Sequence, residues 1–197
     1  KALLGLKPIL QKEKPDNIFV QGDTTTAFIG ALAGFYEKIK VSHIEAGLRS
    51  GDIYSPFPEE GNRKLAGHLA SYHFAPTDRA VNNLRNEGIA NEVHNVGNTV
   101  IDALLLGLDI IKNSGESEYE AYFENLDFNK RIVLVTGHRR ESFGEPFENM
   151  CKAMKDIAMA YPDVELVYPV HLNPNVRKTV NEILTGVENV KLIEPLA

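Results

Sequence analysis

Five polar clusters stand where apolar, β-rich runs end, and their residue types are those of proton transfer and anion binding. Gly22-Asp23-Thr24-Thr25-Thr26 follows one run, His43-Ile44-Glu45-Ala46-Gly47 ends a second, and Gly97-Asn98-Thr99 ends another. Further on come Thr136-Gly137-His138-Arg139-Arg140-Glu141 and His171-Leu172-Asn173-Pro174. Carboxylates serve as general acid and base when their surroundings hold their proton affinities apart. A histidine beside two arginines suits a diphosphate, because guanidinium groups grip phosphate oxygens through paired hydrogen bonds.

Each candidate also has an ordinary structural explanation. Asp23 with its threonines could cap a helix, since Asp, Ser and Thr side chains satisfy free N–H groups at a helix start. Glu45 ends an apolar run, where an ionised carboxylate is costly without a partner; Arg49 or Arg63 could supply one as a salt bridge. Glu59 and Glu60 follow Pro58, and acidic residues in a first helical turn face the positive end of the dipole. His138 with Arg139 and Arg140 could be a plain surface basic patch, and His171 a satisfied histidine before a helix opening at Asn173-Pro174.

Positioning these groups requires a scaffold, and the pattern supplies one. Strands are expected near 17–22, 41–46, 71–75, 92–97, 131–136, 164–170 and 189–193. Helices are expected at the start of the chain and near 24–39, 58–70, 77–88, 99–114, 116–126, 146–161 and 174–185. Residues 99–114 carry the clearest apolar stripe at helical spacing. This alternation implies βαβ units and mostly parallel sheets, in which ligands bind at the carboxyl ends of the strands. The polar stretch from Lys112 to Lys130 separates two runs of such units, and a domain boundary is expected between 115 and 116.

Composition excludes several functions. A net charge of −6 argues against a nucleic-acid binder, which needs a dense basic face. Cys151, the only cysteine, lies in a helical pattern with Phe147, Met154 and Ala158 and is expected to be buried packing in a reducing compartment. No apolar run approaches the roughly 20 residues that span a bilayer, so a cytoplasmic protein without a membrane partner is expected. His43, His68, His73 and His94 lack zinc-ligand spacing, and no GxGxxG, GxxxxGK[ST] or GxSxG motif follows a strand. No metal and no cofactor are expected.

Six motifs in order then carry a resemblance: V-x-GDTTT from Val20, HIEAGLRS from His43, PEE-x-NR from Pro58, GNTVIDAL from Gly97, TGHRRES from Thr136 and VYPVHLNPNV from Val167. Together they resemble the non-hydrolysing UDP-N-acetylglucosamine 2-epimerase family of bacterial type. The resemblance implies an α/β fold of Rossmann-like parallel sheets in a two-domain architecture of the GT-B glycosyltransferase type, commonly homodimeric. Residues 1–115 would form most of the N-terminal domain and 116–197 the first part of the C-terminal one. The resemblance also implies truncation at both ends and a piece inactive by itself, because early basic residues and C-terminal nucleotide-clamping motifs find no match.

That family interconverts UDP-GlcNAc and UDP-ManNAc by eliminating UDP to a 2-acetamidoglucal and adding it back to the other face. The resemblance implies acid/base and sugar-orienting roles for Asp23, Glu45 and Glu59, and stabilisation of the β-phosphate of departing UDP for His138. Arg63 would support the carboxylates, and Asn98 would contact substrate. Arg139 and His171 match positions associated with a second, allosteric UDP-GlcNAc. A hydrolysing relative that releases free ManNAc, a GT-B glycosyltransferase and a non-catalytic nucleotide-sugar module stay open as alternatives.

Overall fold

A computed structural model describes residues 1–115, 117–137 and 143–196. The chain divides into two compact units, Lys1–Ile111 and Lys112–Ala197. The division falls in the last turns of a helix, slightly before the expected boundary between 115 and 116.

Unit 1 opens with α1 (Ala2–Glu13), then β1 (Asn17–Gln21), α2 (Thr25–Tyr36), β2 (Lys40–Ile44), α3 (Glu59–Leu69), β3 (Tyr72–Ala75), α4 (Asp78–Asn86), β4 (Val93–Asn95) and α5 (Thr99–Ser114). The strands form a parallel sheet in the order β1-β2-β3-β4. Side chains alternate across a strand, so Val20 and Val41 turn to one face. There they pack with Ala27 and Ala31 of α2 and Ala66 of α3. A second small core joins Ala46 and Ala75 to Ala80, Val81 and Leu84 of α4.

The same alternation sends two histidines inward. His43 of β2 and His73 of β3 are register partners, and both are buried. Each lies 2.8 Å from a main-chain oxygen, His43 Nε2 from that of Gly22 and His73 Nε2 from that of Gly67. A carbonyl only accepts, so each Nε2 carries the proton. Strand-end placement and inward polarity thus meet at β2.

Unit 2 contains α6 (Ser117–Tyr122), β5 (Arg131–Leu134), α7 (Glu145–Ala160), β6 (Val164–Pro169), α8 (Pro174–Leu184) and β7 (Val190–Ile193). Its parallel sheet runs β5-β6-β7. One contiguous core joins Phe147, Cys151, Met154 and Ala158 of α7 to Val164, Leu166 and Tyr168 of β6 and to Val176, Val180 and Leu184 of α8. Burial pushes the Cys151 thiol up to about 11, so it packs as a small hydrophobe rather than acting as a nucleophile.

Strands and helices form where the pattern places them, with ends shifted by up to about four residues as fraying and caps allow. One expectation meets a different outcome. Helix α5 carries the clearest apolar stripe yet buries none of its residues, and Leu104, Leu105 and Leu106 are each more than half exposed. No described helix is long and apolar enough to cross a membrane.

Candidate active site in unit 1

The turn from β1 into α2 is the centre of the site. Gly22 adopts φ +71°, a left-handed conformation that side-chain-bearing residues rarely take. A Cβ there would also lie 3.4 Å from Glu45 Oε2, so the missing side chain leaves room for that carboxylate beside the turn. Glu45 itself has φ +65° without being glycine, a strained backbone held at the end of β2.

Helix α2 does not use Asp23 as its cap. Thr24 takes that place, its hydroxyl accepting the Ala27 N–H at 3.2 Å. Asp23 is thereby left for another partner, and Arg63 Nε stands 3.1 Å from its Oδ2. The pair is ionic rather than a well-aligned hydrogen bond, because the buried Nε–H has no aligned acceptor among the described residues.

Helix α3 supplies the rest. Glu59 lies in its first turn and Arg63 one turn later, so the two occupy the same face. One oxygen of Glu59, Oε2, is buried with no hydrogen-bond partner among the described residues. Burying a carboxylate oxygen unpaired is unfavourable, which makes Glu59 a candidate for a functional role. Asn62 donates from Nδ2 to the Asp23 main-chain oxygen at 2.8 Å.

Glu60 reads like Glu59 as a first-turn acid, yet it is the fully buried one of the pair. Its Oε2 accepts the Ser50 N–H at 3.1 Å and lies 3.6 Å from Arg63 Nη1. Its Oε1 lies 3.5 Å from the Gly51 N–H. Glu60 therefore fastens the loop after Glu45 to the helix that bears Glu59. Arg49 serves the same loop, forming a two-pronged pair with Glu87, the residue that follows α4, at 2.8 and 2.7 Å. The Arg49 hydrogen bonds hold the Glu87 carboxyl below its ordinary value.

Arg49 and Arg63 are thus both engaged elsewhere, and Glu45 has no ion pair among the described residues. The structure brings Asp23 and Glu45 to neighbouring strand ends and Arg63 of α3 against Asp23, with Glu59 opening the same helix. Asn98 is exposed, and its Oδ1 accepts the Val100 N–H at 3.1 Å in the first turn of α5. His171 belongs to unit 2, where its Nδ1 accepts the Asn173 N–H at 3.1 Å. His138 and Arg139 lie outside the described residues. No group of three potential metal ligands occurs among the described residues.

Three residues of the site stand in the sequence motifs without a role assigned to them there: His43, Glu60 and Asn62. The signal for His43 was its position two residues after Val41, which puts both on the inward face of β2. For Asn62 it was the three-residue spacing from Glu59, one helical turn.

Comparisons with known proteins agree with one another. The family model described as UDP-N-acetylglucosamine 2-epimerase matches residues 1–197. A UDP-N-acetylglucosamine 2-epimerase of Yersinia pestis is 54% identical over 198 residues, covering 99% of this chain and 53% of the relative. The crystal structure of the Neisseria meningitidis UDP-GlcNAc 2-epimerase bound to UDP-GlcNAc superposes with a TM-score of 0.94 at 46% identity, covering 99% of this chain and 53% of that one. An S. aureus MnaA structure with UDP gives 0.88 at 45% identity, over 99% of this chain and 52% of that one. The chain spans about half the length of the curated relatives it matches.

Proposed function

The chain belongs to the UDP-N-acetylglucosamine 2-epimerase family, and on that premise we propose that the whole protein interconverts UDP-GlcNAc and UDP-ManNAc without net hydrolysis. The observation that carries this reading is the carboxylate group of unit 1: Asp23 paired to Arg63, Glu45 beside Gly22, and Glu59 with an unpartnered buried oxygen.

The chemistry asks for such a group. The proton at C2 of the sugar is not adjacent to a carbonyl, so departure of UDP must lead or accompany its removal. One carboxylate takes the C2 proton, the C–H electron pair becomes the C1=C2 double bond, and the C1–O bond breaks with its electrons leaving on UDP. In reverse, a carboxylic acid on the opposite face protonates C2 while a UDP oxygen re-forms the bond to C1. Two faces require two groups with separated proton affinities, which separate carboxylates supply. Stabilising the leaving diphosphate contributes most to the rate, and His138 is the group proposed to face its β-phosphate.

Arg63 then serves to orient Asp23, Asn98 to contact substrate, and Arg139 with His171 to hold a second, activating UDP-GlcNAc. Residues 1–115 contribute most of an N-terminal Rossmann-like domain and 116–197 the first part of a C-terminal one. The whole protein is proposed to be a cytoplasmic homodimer.

Incubating UDP-GlcNAc with the whole enzyme in D2O tests this. NMR is expected to show deuterium at C2 and UDP-ManNAc accumulating without free ManNAc. Glu45→Gln and Glu59→Gln are each expected to lower turnover by about a hundredfold or more. Free ManNAc as the product would replace the reading with hydrolysis, and an unlabelled C2 would remove the carboxylates from the chemistry.

A further inference from the structure

Two consecutive carbonyls, those of Gly22 and Asp23, lie between the end of β1 and the start of α2, and each is taken by a buried side-chain donor. His43 Nε2 reaches the Gly22 oxygen at 2.8 Å, and Asn62 Nδ2 reaches the Asp23 oxygen at 2.8 Å. Both donors are buried, His43 completely. Their places in the chain matter more than the bonds themselves. His43 is two residues before Glu45 on β2, and Asn62 is three residues after Glu59 on α3.

We infer that His43 and Asn62 are positioning residues that set the Asp23 turn against the two elements bearing Glu45 and Glu59, and so fix the mutual placement of the three carboxylates. The inference rests on the catalytic reading of those carboxylates given above. Without the His43 bond, the hydrogen bond left between Gly22 and β2 among the described residues is that of its own N–H, which donates to the Ile44 oxygen at 3.0 Å. Without the Asn62 bond, the polar contact left between α3 and Asp23 among the described residues is the ion pair with Arg63, at the far end of a rotatable side chain. The remaining ring nitrogen of His43, Nδ1, is buried and has no partner among the described residues; with the proton on Nε2 it is an acceptor and offers no second donor. His43 commits its one N–H to the Gly22 oxygen and Asn62 one of its two amide N–H groups to the Asp23 oxygen, so both act on the turn through geometry. A displacement of about 1 Å in a catalytic group can cost roughly a hundredfold in rate while leaving binding intact.

Variants of the whole enzyme separate this role from simple packing. His43→Phe and Asn62→Leu keep the volume and remove the donor, while His43→Gln keeps an N–H at similar reach. Turnover and C2 deuterium uptake are expected to fall about tenfold to a hundredfold in the first two at an unchanged KM for UDP-GlcNAc, and to recover to within about threefold in His43→Gln. Unchanged turnover in both donor-less variants overturns the inference, as does a Gln variant no better than Phe. If those variants fold poorly, long-range 1H–15N NMR of the parent decides: a proton on Nε2 with bare Nδ1 is expected, and a proton on Nδ1 overturns the contact. A parent that leaves C2 unlabelled overturns the catalytic reading beneath the inference, whereas a labelled parent with unaffected variants overturns positioning alone.

Discussion

Helices α3 and α5 reverse the ordinary relation between hydropathy and burial. Helix α3, EEGNRKLAGHL, is polar on average yet buries Glu60 and Asn62 together with Ala66 and Gly67. Helix α5, TVIDALLLGLDIIKNS, is strongly apolar yet buries nothing. The difference teaches where this chain commits polar groups to its interior. Burying a carboxylate and an amide is unfavourable unless each finds partners. The partners of Glu60 and Asn62 are the loop after Glu45, Arg63 and the Asp23 turn. Burial at α3 therefore goes with the placement of the candidate catalytic groups, while the apolar face of α5 makes no comparable contribution.

Three measurements would break or sharpen that contrast. Glu60→Ala leaves two loop N–H groups without their acceptor and Arg63 with one anion fewer, and urea unfolding is expected to show a loss of about 3 kcal/mol. A loss under about 1 kcal/mol would mean that the buried acid of α3 is no more important than a surface one.

The second effect is smaller and depends on pH. Burial chiefly, with His73 and Arg49 adding to it, holds His43 below its ordinary 6.5 against the opposing bond to Gly22. Below pH 6.5 the unfolded chain takes up a proton that the folded chain refuses, so stability falls as pH drops through that window. Glu87 acts lower: its stabilisation is complete above the unfolded value of 4.5 and is lost as pH falls through its depressed folded value. Urea midpoints between pH 8 and 5.5 are expected to decline less steeply in His43→Gln than in the parent. Parallel slopes would show that His43 is not the group responsible.

The smallest effect belongs to α5. Leu106 is 62% exposed, and Leu106→Gln is expected to shift stability by no more than about 0.5 kcal/mol. A drop several times larger would mean that this face is covered in solution, and the contrast with α3 would shrink accordingly.

Much of the scaffold was legible in the residues. Apolar alternation placed the strands, helical spacing placed the packed face of α7, strand-end position drew attention to Asp23 and Glu45, and the helix start after Pro58 to Glu59. Partner choice was not legible. Asp23 could have capped α2, but Thr24 does so. Arg49 could have paired with Glu45, but Glu87 holds it. Glu59 and Glu60 read alike as first-turn acids, and only one is fully buried and hydrogen-bonded.

The sequence by itself determined the alternating parallel α/β scaffold and the family, because periodicity and motif order are local properties written along the chain. Tertiary structure alone decided which polar groups meet: Asn62 finds a carbonyl 39 residues away and His43 one 21 residues away. Those contacts depend on how helices and strands pack in space, where distance no longer follows position in the chain.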